Sequence, residues 1–168
     1  MPTYWRRIVR EKVLQALYAY EISKEPISHV AEDVLSGLKK HKNDFEFARD
    51  LLTTVVQHKN ELDKFINAKT ANWQFDRIAV IDMLLLRIGI CEFLYFPDIP
   101  PKVTINEAIE IAKIFSTEKS GQFINGILDA VLDELRTSGE LKKTGRGLLT
   151  ESPGSATSHT SRSSRNTK

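Results

Sequence analysis

Between Leu84 and Lys113 the chain reads LLLRIGICEFLYFPDIPPKVTINEAIEIAK: an apolar run punctuated by Arg87 and Glu92, a proline break, then a second amphipathic run. Such a stretch leaves little choice but two helices meeting at a corner. Asp76 is placed to cap the first, and Ile78, Ile81, Leu84, Leu85, Ile88, Cys91 and Tyr95 follow at close to helical spacing. Pro97, Pro100 and Pro101 cannot continue that helix, because proline lacks the backbone N–H and its ring clashes with the preceding turn. Thr104-Ile105-Asn106-Glu107 then fits a capping box, in which the hydroxyl and the carboxylate each satisfy an unpaired backbone donor. The second helix is therefore expected to start at about Ile105.

The rest of the apolar pattern is helical too, and no segment shows sustained alternation of the strand type. A first helix is expected from Thr3 to Ile22, turning Ile8, Leu14 and Leu17 inward with Val13 beside them. After Pro26, Ser28 can cap a short helix carrying Val30, Val34, Leu35 and Leu38. KKHKND reads as a loop. Asp44 then starts a long helix to about Asn67, with Phe45, Ala48, Leu51, Leu52, Val55, Leu62, Phe65 and Ile66 on its inner face. Residues 68–75 form a connector. Ser116 and Thr117 precede a last helix from Glu118 to Arg136, presenting Phe123, Ile124, Ile127, Leu128, Val131, Leu132 and Leu135.

A chain of 168 residues with 41% apolar side chains supports one domain with a real core. Its single cysteine, Cys91, sits in an apolar helix and suits a buried thiol in a reducing cytosol. The start, MPTYWRRIVREKV, lacks the uninterrupted apolar region of a signal peptide, and the run from Met83 to Phe96 is too short and too charged to span a bilayer. No membrane association is expected. From Lys142 onward there are six bases and one acid, leaving 18 bases and 21 acids for residues 1–141. A body of that sign binds nucleic acid only through a local basic patch, and Arg6, Arg7, Arg10 and Lys12 are the candidates. Residues 1–138 are expected to form the domain. From Gly139 to Lys168, Gly, Ser and Thr dominate, and the segment reads as a disordered polar and basic tail.

Catalytic signatures are missing: there is no phosphate-cradling Gly-rich loop, no GxSxG elbow and no HExxH. His29, His41, His58 and His159 show no metal-ligand spacing, and no cofactor is implied. Paired acids such as Glu107 and Glu110 are read as capping or solvated groups. The chain looks like a binding protein and not an enzyme.

RRIVREKVLQALYAYEIS at Arg6, ARDLL at Ala48, the Leu84–Lys113 stretch and FINGILD at Phe123 together resemble the NusB family of bacterial transcription antitermination factors. That resemblance implies an all-α fold of about seven helices in two packed antiparallel subdomains. It also implies binding of the boxA element of nascent RNA together with NusE, the small-subunit ribosomal protein, within the RNA polymerase antitermination complex that supports ribosomal RNA synthesis. Arg6, Arg7 and Arg10 would meet phosphate or stack on unpaired bases, Arg6 and Arg10 sharing a helix face. Lys119, Ser120 and Phe123 would place a cation, a hydroxyl and a ring against single-stranded RNA. Many family members carry an acid where Lys119 stands, so attraction replaces repulsion here.

Tyr18 and Asp82 match positions that meet NusE in the family, although many relatives have the longer glutamate at Asp82. Tyr18 also fits an internal seam beside Leu14 and Leu17, and Phe123 also fits the core beside Ile124 and Ile127. Gly126, in mid-helix, calls for the close approach of another backbone. Arg87 and Glu92 are assigned to structure, with Asn106 or each other as partners. Trp5 and Trp73 read as core or seam residues. Two other readings stand beside the main one: a NusB-like domain assisting a ribosomal RNA cytosine methyltransferase, and a self-associating helical scaffold, since some family members form homodimers.

Overall fold

The computed structural model describes residues 3–71 and 78–149, with the side chain of Thr3 left out. Among these residues the regular structure is seven α-helices and two 3-10 turns. They are α1 (Thr3–Ser23), α2 (Ile27–Leu35) running into a 3-10 turn (Ser36–Leu38), α3 (Lys42–Gln57), α4 (Lys59–Lys69), α5 (Val80–Tyr95), α6 (Pro101–Phe115) and α7 (Glu118–Ser138), with a second 3-10 turn at Gly145–Leu148. Helices α1, α2 and α3 pack on one another, α6 and α7 pack together, and α5 touches α1, α3, α4, α6 and α7.

Helix α5 is the spine because its sequence allows nothing else. Every residue from Asp82 to Phe93 is buried. A helix that is apolar on all sides belongs in the centre of a bundle. Leu84, Leu85, Leu86, Ile90 and Phe93 are essentially inaccessible, each stabilising the fold by about 1.5–3 kcal/mol. The two charges in this helix find partners far away in the chain. Arg87 binds Asp63 through two bonds of 2.7 and 3.1 Å and Glu21 through a third of 3.1 Å. Glu92 receives both Arg10 bonds at 2.8 Å and a third, also 2.8 Å, from Thr104 Oγ1. Both residues are structural, as expected, although their partners are not the ones anticipated.

Several boundaries differ from the sequence reading. Helix α6 opens at Pro101, with Pro100 at the cap position, because proline at the first helical position loses nothing and has its φ preset. The capping box is therefore not formed: Thr104 is inside the helix and faces Glu92, while Glu107 is buried against Arg7. Ser28 likewise lies inside α2, whose cap position is Pro26. The long helix expected from Asp44 to Asn67 is two helices. His58, at φ −106° and ψ 17°, ends α3 and precedes α4, and its ring stacks on Tyr95 at 4.3 Å. Asp76 and Trp73 lie outside the described residues.

The close approach expected at Gly126 is found instead at another mid-helix glycine, Gly89. Gly126 is exposed, with nothing within 4 Å of where a Cβ would stand. Gly89 of α5 is the close contact, where a Cβ would meet Leu128 Cδ2 at 2.8 Å. The segment after α7 also departs from the expected tail as far as it is described. Gly139, at φ 76°, ends the helix, and residues 141–149 return to the α5–α6 turn, where Thr144 N–H donates to the Pro97 carbonyl at 3.0 Å. Among the described residues no helix is long and apolar enough to cross a membrane.

Candidate functional site

The starts of three helices hold all the candidate side chains but Tyr18, which lies in the second half of α1. On α1, i, i+4 spacing does put Arg6 and Arg10 on one face, and that face turns towards Phe47 of α3. The Arg6 guanidinium lies 4.0 Å from the Phe47 ring centroid and that of Arg10 5.6 Å from it. Their fates then diverge. Arg6 remains partly exposed, whereas Arg10 is 4% accessible and locked to Glu92. Burial works against the Arg10 charge, but attraction and hydrogen bonds from Glu92 outweigh it and hold its pKa above the ordinary value. Arg10 is thus a core ion pair joining α1 to α5, and its expected place on the outer basic surface is corrected by its burial.

Arg7 lies between these extremes. Its Nε and Nη2 bind the Glu107 carboxylate at 2.8 and 3.0 Å, and its side chain keeps 26% of its surface. Those hydrogen bonds are the main cause of its raised pKa, with Glu110 and Glu11 adding attraction. Helix α6 thereby fixes the direction in which Arg7 points. Trp5 is a seam residue, as expected, donating to Asp44 at 2.6 Å.

At the start of α7, Thr117 accepts the Ser120 N–H at 3.1 Å and so caps the helix through its side chain. The Ser120 hydroxyl is drawn into a buried network. It donates to Asp82 Oδ2 at 2.8 Å, stands 2.8 Å from Ser116 Oγ, and receives Thr117 Oγ1 at 3.1 Å. Its proton is committed to Asp82, so Ser120 positions its neighbours. Asp82 itself is 6% accessible, and among the described residues its Oδ1 has no hydrogen-bond partner. Two residues expected at different surfaces are therefore bonded to each other.

Lys119 is exposed beside this network, and Phe123, one turn further on, is partly buried and packs against the core. Tyr18 is 44% accessible and lies on the outside of α1. Helix α6 stands between the two basic regions, touching α1 and α7. Neither Phe47, which carries Arg6, nor Glu107, which orients Arg7, was foreseeable in that role from local pattern. Ser116 and Thr117 were visible only as an interruption. Among the described residues no group of His, Cys, Asp or Glu is arranged to hold a metal.

Comparison with known proteins sets this geometry in context. The profile of the NusB family matches residues 7–133. The transcription antitermination protein NusB of Chloroherpeton thalassium is 48% identical over 149 residues, covering 86% of this chain and 69% of that protein. That of Salinibacter ruber is 42% identical over 149 residues, covering 86% and 91%. Among solved structures, T. maritima NusB superimposes with a TM-score of 0.72 at 37% identity, over 77% of this chain and 91% of that one. A chain in the crystal structure of antitermination factors NusB and NusE in complex with dsRNA gives 0.71 at 25% identity, over 80% and 99%.

Proposed function

The chain belongs to the NusB family, and from that premise we propose that it is a transcription antitermination factor that binds boxA-like single-stranded RNA together with NusE. It works in the cytoplasm, within the RNA polymerase antitermination complex, and favours ribosomal RNA synthesis. Its contribution is affinity and assembly, with no bond made or broken.

The observation that carries this reading is the bonded pair Asp82–Ser120 at the start of α5 and α7, next to exposed Lys119 and half-buried Phe123. In our reading Lys119 meets a phosphate, and Phe123 offers a ring edge or face to an unpaired base, an interaction worth about 1–3 kcal/mol per base. Arg6 and Arg7 extend the phosphate path on the other side of α6, held in place by Phe47 and Glu107. Arg10 supports them from the core. Tyr18 and Asp82 receive NusE, the exposed phenol by packing and the buried Asp82 through the network it forms with Ser120 at that surface. Because Asp82 is bonded to Ser120, partner binding and RNA binding act on one polar network.

The test is the affinity for a boxA oligonucleotide and a scrambled one, each with and without NusE. Three phosphate contacts give a log–log salt slope of about −2 on a single strand. Changing Arg6, Arg7 and Lys119 to glutamate is expected to abolish sequence-selective binding. Equal affinity for both RNAs in both conditions would leave only generic attraction. Light scattering in the same samples reports any homodimer that covers these residues.

A further inference from the structure

Residues 141–149 contain Lys142, Lys143 and Arg146 and no acid. They are also fixed in place more firmly than their composition suggests. Leu141 N–H donates to the Leu135 carbonyl at 3.1 Å, and Thr144 N–H to that of Pro97 at 3.0 Å. Lys143 Nζ turns inward and donates to two carbonyls at the end of α5, that of Glu92 at 3.0 Å and that of Phe96, the residue just past the helix, at 2.9 Å. Each of these carbonyls already accepts a backbone N–H, from Phe96 and Ile99, and the ammonium adds a second bond to each while meeting the negative end of the helix dipole. Gly147 is buried so tightly on the Pro97 carbonyl that any Cβ would collide with it. The segment is a clasp on the α5–α6 turn.

Its position is informative. Phe96, whose carbonyl accepts from Lys143, sets its ring edge-on to Phe47 at 5.7 Å, and Phe47 carries the Arg6 guanidinium on its face. Only two rings separate the clasp from the arginine at the head of the proposed RNA path. With Lys143 spent on carbonyls and facing Asp98, the exposed cations of the clasp are Lys142 and Arg146. Glu140, just before it, is the acid in its own run of chain.

We propose that this clasp is a second basic arm of the RNA surface, holding Lys142 and Arg146 where a strand leaving Arg6 meets them through its phosphates. The proposal rests on the RNA-binding reading above and extends it to a segment outside the 7–133 span that the family profile matches. Phosphate is the ligand chemistry, and base identity plays no part.

Full-length protein carrying Lys142→Gln and Arg146→Gln is titrated with the boxA oligonucleotide across a salt series. Each phosphate contact contributes about 0.7 to the single-strand salt slope and about five-fold in affinity at 0.1 M salt. The double variant is expected to bind about twenty-fold more weakly, with a slope shallower by about 1.4. Gly147→Val leaves every charge in place and dislodges the clasp, so it is expected to lose a similar amount; Lys143→Met is a second way to loosen it. Unchanged affinity and slope in the double variant overturn the proposal. So does full affinity in both Gly147→Val and Lys143→Met. Arg6→Gln serves as the separate arm: if it too is silent, the RNA reading itself falls, whereas a loss there with a silent clasp rejects the clasp alone.

Discussion

The two ends of α5 each bury a carboxylate, and they treat it in opposite ways. At the C-terminal end Glu92 is saturated by Arg10 and Thr104, and the carbonyls around it are capped by Lys143. At the N-terminal end Asp82 gives one oxygen to Ser120 and leaves the other uncommitted among the described residues. The difference is between a carboxylate completed within the fold and one that the fold leaves incomplete. A saturated buried charge costs much to disturb, whereas a half-satisfied one carries part of its desolvation cost uncompensated and is held less firmly.

Four experiments test that contrast, from the largest expected effect to the smallest. Glu92→Ala leaves Arg10 buried without a counter-charge, and a loss of about 3–5 kcal/mol is expected in urea unfolding. Gly89→Ala drives a methyl into Leu128 and costs about 1–3 kcal/mol by overpacking. Its control, Gly126→Ala, removes only backbone freedom at an exposed helical position and raises stability by about 0.5–1 kcal/mol.

The third experiment concerns Lys143, whose pKa is lowered to about 8, by burial first, with Glu92 and Asp98 pulling it back up. The unfolded chain therefore holds this proton over a pH range where the folded chain has released it. Stability rises as pH passes from about 8 towards the ordinary lysine range, by on the order of 1 kcal/mol. The neutral amine keeps two N–H groups for its two carbonyls, so the clasp persists. Unfolding at pH 7.5 and 9.5, compared with Lys143→Met, checks the sign. Last, Asp82→Asn keeps an acceptor for Ser120 and is expected to move stability by less than about 0.5 kcal/mol, while lowering NusE affinity. A large loss of stability there would make both ends of α5 alike and remove the contrast.

Which parts of this arrangement were legible beforehand follows from the range of the forces involved. The proline corner, the inward face of α7 and the start of α1 depend on neighbouring residues, and the periodicity shows them. The start of α6 did not read correctly because Thr104 and Glu107 have a capping spacing but tertiary partners, Glu92 and Arg7, 12 and 100 residues away. The break at His58 carries no glycine or proline, and the contacts of its ring come from Tyr95 and Glu61. Arg10 and Arg6 are alike in a helical projection, and only the approach of α5 separates a core ion pair from a surface cation. Asp82 and Ser120 were both singled out, but nothing in the sequence indicates that they touch.

The Arg10–Glu92 and Arg7–Glu107 bonds close loops of 82 and 100 residues. During synthesis the first helix emerges early, yet the groups that fix its arginines are made much later. Until α5 has left the ribosome Arg10 has no counter-charge to meet, and until α6 follows Arg7 has no carboxylate to orient it. Contacts of such long sequence separation form late, since the intervening chain must first be ordered. The placement of these arginines is thus completed near the end of folding, and a prematurely ended chain lacking α6 carries Arg7 without the carboxylate that orients it.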